Sequence, residues 1–578
     1  MFIDRIGCVL FLFASAAALF GQEPTGDQQN LKSERRAKLI ERISGEADQL
    51  KLSENRALVN VKLGAALWET DKDAAKSLFR SAIADLIAAQ QAAEAGKNPN
   101  NGYHDLLNSQ SLRPQILNTI AGADAEFALE QFYRSRPSAI ERALAGDPLN
   151  AKIGSPSNER MNLAQSEINL EQRLVKMVAE QKPEKAVAIL KDSIRKKLSG
   201  ETFGMLQKLF VTDPAAANGL ANEVLDRLSR EKFFSENQPN YDLINLSNSI
   251  LAEYVRERDP EHKAISLEEP RVRTLALKII DVYLTGSQRM GHVPLEQLEP
   301  LTKRFAPTSF EQLKTISGTL RGFGHHRIKL DSDYQKLMES NPSPELMVSE
   351  AKRYDPETRR TIYVNAANKF SESGQYQNAV SLLNEQFEGD ALENAVSSLN
   401  WYQAHQLVQK GQFDAAESMM MEFNDSNRIS ALVSLAQTVY GADRGKNRSR
   451  AISILNRARS LMPERPENNN ELNQLFSLIN AKASIEPAEA LAEFEALTDQ
   501  LNRIIEASAI VTAFQGGYLR QGEYLLSNGF NFGVYIDPNM FRTFAQGDYA
   551  RTEQLIDMFT RREVRIMLKL YVAEGGLL

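Results

Sequence analysis

Residues 374–379 of this chain read GQYQNA, and 37 residues later (411 − 374) residues 411–416 read GQFDAA. In both stretches a glycine that can end one helix is followed by an aromatic residue and then by a small residue. Small residues let two helices approach each other closely. A looser third copy contains Ala451, Leu455, Ala458 and Pro463. The repeated stretch therefore predicts an all-α protein that uses one helical hairpin several times.

The residues before each glycine repeat as well. Ala367 and Phe370 precede the first copy, and Ala404 and Leu407 precede the second. This arrangement resembles the tetratricopeptide family, whose period is about 34 residues. The resemblance implies α-α hairpins that stack into a right-handed α-solenoid and bind a protein or peptide on the concave face. The first two copies depart from the family because they lack its closing proline. In the second copy Met420 takes the place of a core leucine, so we expect it to be buried.

The repeats suggest a division of the chain. We predict a repeat region similar to the tetratricopeptide proteins at 345–578 and a more irregular region of helical hairpins at 33–340. Polar segments at 96–111 and 146–160 are predicted to be loops within the irregular region. Pro183 and Pro214 are expected at the first positions of helices, where the missing N–H costs nothing. A polar linker is predicted at 22–32.

The first residues of the chain predict export. Arg5 precedes an apolar run from Ile6 to Phe20, which is too short to span a bilayer comfortably, and small residues follow one another near its end. This pattern predicts a signal peptide at 1–21, with an uncleaved anchor as the alternative. The single cysteine, Cys8, lies within that segment, so the mature chain would lack disulfides and thiolate sites. We expect a periplasmic or extracellular protein of a bacterial envelope, and the chain also resembles exported helical proteins of bacteria.

Few residues in the sequence suggest catalysis. The net charge of −7 and the lack of a long basic run disfavour nucleic-acid binding. Ser193 and Lys196 match the S-x-x-K spacing of serine acyl-enzymes, as do Ser229 and Lys232, but the companion motifs are missing. The histidine pair at 325–326 has no further ligands at metal-binding spacing. We therefore expect no catalytic residue, no cofactor and no metal site.

These observations favour a non-catalytic exported scaffold that binds a protein or peptide. Two alternatives remain open at this point. One is a carbohydrate-active enzyme built as an α/α toroid, which would use paired carboxylates and aromatic platforms. The other is a structural component of the envelope that associates with itself. Trp401 is expected to be a core anchor.

Overall fold

The computed structural model describes residues 26–95, 99–145, 156–235, 238–256, 264–290, 293–323, 332–514, 519–526 and 534–573. Within these ranges the chain forms 28 α-helices and two antiparallel pairs of two-residue strands, so the all-α prediction is confirmed. The predicted signal peptide at 1–21 lies outside the described residues.

The bounds of the elements follow in chain order. The first fourteen helices and the first strand pair are α1 (Gly26–Ala47), α2 (Ser53–Leu67), α3 (Lys72–Ala95), α4 (Pro99–Ala123), α5 (Ala125–Arg134), α6 (Ser138–Ala145), α7 (Pro156–Gln181), α8 (Pro183–Lys196), α9 (Thr202–Thr212), α10 (Pro214–Arg230), β1 (Phe234–Ser235), β2 (Gln238–Pro239), α11 (Tyr241–Arg256), α12 (Glu269–Met290), α13 (Leu295–Phe305) and α14 (Phe310–Phe323). The remaining elements are α15 (Ser332–Glu339), α16 (Pro344–Ala351), α17 (Pro356–Glu372), α18 (Tyr376–Gln386), α19 (Gly389–Gln409), α20 (Phe413–Met421), α21 (Asp425–Ala442), α22 (Arg448–Ser460), α23 (Asn469–Ala483), α24 (Pro487–Glu495), α25 (Thr498–Phe514), β3 (Leu519–Arg520), β4 (Glu523–Tyr524), α26 (Pro538–Gly547), α27 (Tyr549–Asp557) and α28 (Arg562–Tyr571).

The chain divides into two compact units. The continuous unit comprises residues 52–485, and the split unit combines residues 1–51 with residues 486–578. Helices α2 to α23 belong to the continuous unit, whereas α1 and α24 to α28 belong to the split unit. The boundary predicted between 33–340 and 345–578 falls inside the continuous unit and stays a prediction.

In the continuous unit, helices that follow one another pack in pairs, as in α2 with α3, α17 with α18 and α21 with α22. The close approach of α2 and α3 depends on Gly64, because a Cβ at this position would lie 2.5 Å from the ring of Phe79. Phe79 is completely buried. A second close approach joins Gly286 of α12 to the ring of Phe234 in the β1–β2 hairpin. A shared apolar core extends through α7 to α14.

The two clear repeats have the same turn. Gly374 and Gly411 adopt the left-handed conformation, with φ of +77° and +71°, which only glycine reaches without strain. The N–H of Gln375 donates to the carbonyl of Phe370 at 2.8 Å, and the N–H of Gln412 donates to the carbonyl of Leu407 at 2.9 Å. This hydrogen bond spans five residues and is typical of a Schellman cap, which ends a helix at a glycine.

The alanines that the repeat pattern singled out are all fully buried: Ala367, Ala379, Ala404, Ala416, Ala451 and Ala458. Met420 is also buried, as predicted for a replacement of a core leucine. The third hairpin turns differently. There the carboxylate of Asp443 accepts hydrogen bonds from the N–H groups of Gly445 and Lys446, at 3.1 and 3.0 Å.

Two loop predictions are wrong in part: the first from residue 99 to 111, and the second from residue 156 to 160. Helix α4 begins at Pro99, inside the predicted loop at 96–111, and α7 begins at Pro156, inside the predicted loop at 146–160. Each proline stands at the first helical position, where it is tolerated and where its fixed φ suits the helix. Once a helix is nucleated, polar residues extend it at little cost, so polarity alone did not mark a loop. Residues 96–98 and 146–155 lie outside the described ranges.

Helix starts elsewhere follow the predictions. Pro183 and Pro214 both occupy the first turns of their helices, α8 and α10.

The prediction of a linker at 22–32 is wrong from Gly26 onward, because α1 begins there. The polar residues there extend the amphipathic part of the same helix, which contains the buried residues Leu39 and Ile43.

Candidate functional site

The best candidate surface in the continuous unit lies on the first helices of the two clear repeats, α17 and α19, which pack against each other. Asn368 follows the buried Ala367 on α17, and His405 follows the buried Ala404 on α19. Asn368 and His405 therefore occupy equivalent positions on the two helices, each next to a buried alanine. One turn further along, Glu372 and Gln409 continue the two rows and are exposed. We call the surface formed by Asn368, Glu372, Trp401, Tyr402, His405 and Gln409 the polar face.

Hydrogen bonds across the two helices fix the geometry of the polar face. The hydroxyl of Tyr402 on α19 donates to the carboxylate of Glu372 on α17. The amide of Gln406 donates to the same hydroxyl at 3.4 Å. Burial, and secondly the hydrogen bond to Glu372, raise the pKa of Tyr402 to about 12. Its phenol is therefore neutral at physiological pH and acts as a donor that orients the glutamate.

Two exposed side chains on the polar face, those of His405 and Gln409, are available to a ligand. The Nε2 atoms of His405 and Gln409 lie 2.9 Å apart, with both side chains exposed. The side-chain oxygen of Asn368 is buried, and no donor within the described part of the chain reaches it. Because this oxygen is buried, it is not open to a ligand, and the exposed side chains of the polar face are the ones that a ligand can reach.

An aromatic platform borders these groups. Trp401 retains 36% of its surface exposed, and its ring centroid lies 5.1 Å from that of Phe423. The prediction that Trp401 is a core anchor is therefore wrong in part. One side of the indole packs in the hairpin, whereas the rest remains open to solvent and can take part in stacking or cation–π contacts.

The sequence segment that contains the polar face is rich in acidic residues, of which Asp414 and Glu417 on α20 pair with Arg450 and Arg457 on α22. Residues 356–424 contain nine acidic and four basic residues, which gives a local net charge of −5 (4 − 9). No basic residue occurs between Lys369 and Lys410. A surface of this sign raises the local concentration of cationic ligands and repels anionic ones.

The residues that matched catalytic spacings are held in structural roles. The ammonium of Lys196 lies 2.6 Å from the carboxylate of Asp192, and the hydrogen bond to that group raises the pKa of Lys196. A lysine that serves as a general base needs a lowered pKa instead. The hydroxyl of Ser229 donates to the carbonyl of Asp226 at 2.8 Å. The histidine pair at 325–326 lies outside the described residues, and the residues that are described contain no group of three or more potential metal ligands.

A cleft of about 340 Å³ also lies in the continuous unit, among Arg428, Ile429, Leu461, Pro463, Asn470, Glu471 and Gln474. Two of its polar side chains already form hydrogen bonds within the protein. The guanidinium of Arg428 donates to the carbonyl of Phe423 at 2.7 and 3.0 Å, and the carboxylate of Glu471 caps the start of α23. This cleft is a weaker candidate than the polar face, because binding there would have to break these contacts.

A buried ionic cluster was not predicted from the sequence. Arg113 on α4 and Glu167 on α7 are each 2% exposed and form two hydrogen bonds, at 2.6 and 3.1 Å. Arg136 donates to the same carboxylate at 2.8 Å. Burial lowers the pKa of Arg113, whereas the pairing with Glu167 opposes that change. The cluster joins α4, the end of α5 and α7, and the side chains of Arg113 and Glu167 are not accessible to a ligand.

Comparison with known proteins assigns no class. No protein-family model matches the chain, and no curated protein matches it. Among the described residues, no helix is both long enough and apolar enough to cross a membrane.

Proposed function

We propose that this chain is an exported, non-catalytic scaffold that binds a segment of a protein or peptide along the polar face of α17 and α19. In this proposal the hairpins stack into a right-handed α-solenoid of the tetratricopeptide type, with the first helix of each hairpin on the concave side. The shared Schellman caps and buried alanines of the two clear repeats support this arrangement, because identical local geometry favours a regular stack.

The observation that carries the proposal is the composition of the polar face. An exposed side-chain amide such as that of Gln409 can donate to and accept from a peptide backbone at the same time. Helical arrays bind extended segments well, since stacked hairpins offer a long row of such groups.

The partner segment is proposed to be basic. Residues 356–424 have a net charge of −5, and Glu372 is oriented by Tyr402. A lysine or arginine of the ligand could pair with Glu372 while a neighbouring side chain packs on the exposed part of Trp401. A negatively charged segment would meet repulsion at the same place.

The location of this binding is proposed to be the bacterial envelope. The support is the apolar run within residues 1–21 and the absence of cysteine from the rest of the chain. An exported scaffold of this kind would meet partners in the periplasm or outside the cell.

The test is a binding experiment with defined peptides. Extended peptides of about 12 residues, taken from exported proteins, would be presented on an array to the purified chain without residues 1–21. We expect basic peptides to bind and acidic peptides to fail. Affinity for the best peptide should fall about tenfold in each of the variants Trp401→Ala and Glu372→Gln, since each removes one interaction of roughly 1.4 kcal/mol.

A matched control is Asn470→Ala, which alters the exposed cleft near α23 and leaves the polar face intact. This variant should bind the peptide as the parent chain does. Circular dichroism must show unchanged helicity for all variants. The proposal fails if no peptide binds, or if Asn470→Ala weakens binding as much as Trp401→Ala does.

A further inference from the structure

Helix α25 of the split unit is apolar on two opposite faces near its end. On one face Ile505 and Ala509 are buried, at 1% and 2% exposure. On the other face Ile510, Val511 and Phe514 stay 72%, 54% and 93% exposed. Single exposed apolar residues are normal on a protein surface, but three within about one helical turn form a patch, and such patches mark interaction sites. We call Ile510, Val511 and Phe514 the apolar patch.

Contacts within the split unit hold α25, so the apolar patch has a fixed direction. The hydroxyl of Tyr524 donates to the carbonyl of Ile505 at 3.0 Å, and the side-chain amide of Asn502 donates to the carbonyl of Met558 at 2.9 Å. The helix also packs on β3. Phe514 is the last residue of the helix and projects into solvent. A projecting apolar side chain fits an occupant that surrounds it, as the headgroup region of a lipid bilayer does.

The area of the apolar patch argues against a folded protein as its occupant. An aromatic side chain exposes about 200 Å², and isoleucine and valine expose somewhat less, so the patch offers on the order of 400 Å². A standard protein interface buries about 800 Å² on each partner. With this patch a second copy of the chain would bury only about half the area that a stable dimer needs. The apolar face of an interfacial helix enters a bilayer by about 5–10 Å, a depth that side chains of this size reach.

The charges beside the apolar patch suit an anionic lipid surface. Arg503 lies on the same side of α25 as Ile510 and Phe514, because spacings of seven (510 − 503) and four residues (514 − 510) return to one face of a helix. Its side chain is exposed, and its guanidinium has no partner among the described residues. The last carboxylate of the helix, Glu506, is balanced by Arg561 at 3.2 Å. Basic side chains beside an apolar face attract interfacial helices to anionic headgroups.

We propose that the exposed face of α25 binds the surface of an anionic lipid bilayer. The side chains of the apolar patch enter the headgroup region, and the guanidinium of Arg503 pairs with lipid phosphates. The binding is peripheral and holds the chain at the membrane surface. The site belongs to the split unit, whereas the polar face belongs to the continuous unit. Lipid binding and peptide binding are therefore separate properties, and either proposal can fail without the other.

The test is co-sedimentation with lipid vesicles. The chain without residues 1–21 is used, because the apolar run at 6–20 would bind lipid by itself and because this deletion removes no described residue. Vesicles of phosphatidylglycerol and phosphatidylethanolamine in equal parts supply the anionic surface, and phosphatidylcholine vesicles are the neutral comparison. A double variant with Ile510→Ser and Phe514→Ser removes most of the apolar patch and leaves the core intact. The matched control is Val211→Ser, because Val211 is an apolar side chain on α9 that is 82% exposed.

A fluorescent dye beside the apolar patch reports insertion directly. The deletion also removes Cys8, so Ala513→Cys supplies the only thiol for an environment-sensitive dye, at an exposed position. Lys446→Cys, on the exposed turn between α21 and α22, is the matched control for the dye. We expect the dye at position 513 to brighten and shift to the blue on anionic vesicles, and the dye at position 446 to stay unchanged.

We expect the parent chain to bind anionic vesicles more tightly than neutral ones. At unchanged helicity by circular dichroism, the partition coefficient should fall about tenfold in the double variant and roughly fivefold in Arg503→Gln, and it should stay the same in Val211→Ser. The proposal is overturned if the parent chain does not sediment with anionic vesicles, if Val211→Ser loses as much binding as the double variant, or if the dye at position 513 does not respond. It is equally overturned if sedimentation velocity without lipid shows a dimer that the double variant dissociates, since a second copy would then be the occupant.

Discussion

The close approach of α2 and α3 gives a prediction that can be worked out atom by atom. In Gly64→Ala the new Cβ would lie 2.5 and 2.6 Å from two ring carbons of Phe79, and 3.1 Å from the carbonyl oxygen of Ala75. Ordinary carbon contacts begin at 3.4 Å, so the ring must move by roughly 1 Å in a site that is completely buried. Overpacking of this kind costs about 3 kcal/mol at the upper end of its range.

Alanine also has the better helix propensity, which returns about 1 kcal/mol. The expected net loss in the free energy of unfolding is therefore about 2 kcal/mol. The matched control is Gly219→Ala on α10, where nothing lies within 4 Å of the new Cβ. That variant has only the propensity term and should gain about 1 kcal/mol.

Trp68 provides the assay, because its ring lies 6.1 Å from that of Phe79. In a Trp401→Phe background Trp68 is the only tryptophan, and its fluorescence during urea unfolding reports on this hairpin. The decisive measurement is a double-mutant cycle with Phe79→Leu, whose smaller side chain leaves room for the added methyl group. We expect a favourable coupling of about 1 kcal/mol. Additive effects of the two changes, or an unchanged midpoint for Gly64→Ala, would refute the reasoning.

Three further predictions concern the turns, the buried cluster and the pH dependence. Gly374→Ala should destabilise the chain by about 1–2 kcal/mol in urea unfolding because φ is +77°, whereas Gly441→Ala, in open helical surroundings, should not. Arg113→Ala removes a main partner of the buried Glu167 and should cost about 3–5 kcal/mol by the same assay, whereas replacing both residues with apolar ones of similar volume should cost much less. Hydrogen bonds from two lysines near the start of α8 lower the pKa of Glu126 from 4.5 to about 2. Its stabilising contribution is therefore complete above pH 4.5 and lost as the pH falls through 2, so the melting temperatures of the parent and Glu126→Gln should converge near pH 2.

The hairpins of the repeat could be predicted from the sequence because their determinants are local. A glycine at the helix end, an aromatic residue two positions later and a buried alanine are all specified within six residues. The same reasoning failed for Trp401. The repeat pattern does not specify how much of the indole is covered. That coverage depends on the neighbouring Phe423, whose position relative to Trp401 the local pattern does not predict.

The buried ionic cluster left a signal that could have been used. Arg113 stands between Leu112 and the apolar residues Ile116 and Leu117, all of which are fully buried. A charged residue inside an apolar stripe requires a counter-charge, so a buried carboxylate elsewhere was to be expected. Which carboxylate it was could not be read from the sequence, because Glu167 lies 54 residues away and no local rule connects the two.

The place of α1 could not be predicted for a different reason. Helical periodicity identifies the apolar stripe through Leu39 and Ile43, but it does not say which part of the chain covers that stripe. The default expectation is that consecutive helices pack together, which would join α1 to α2. The structure instead joins α1 to α28, and the buried Lys569 explains why this pairing is specific, since an apolar contact alone would accept many helices. The carboxylate of Glu46, which lies 2.6 Å from the ammonium of Lys569, is the feature that distinguishes the correct partner.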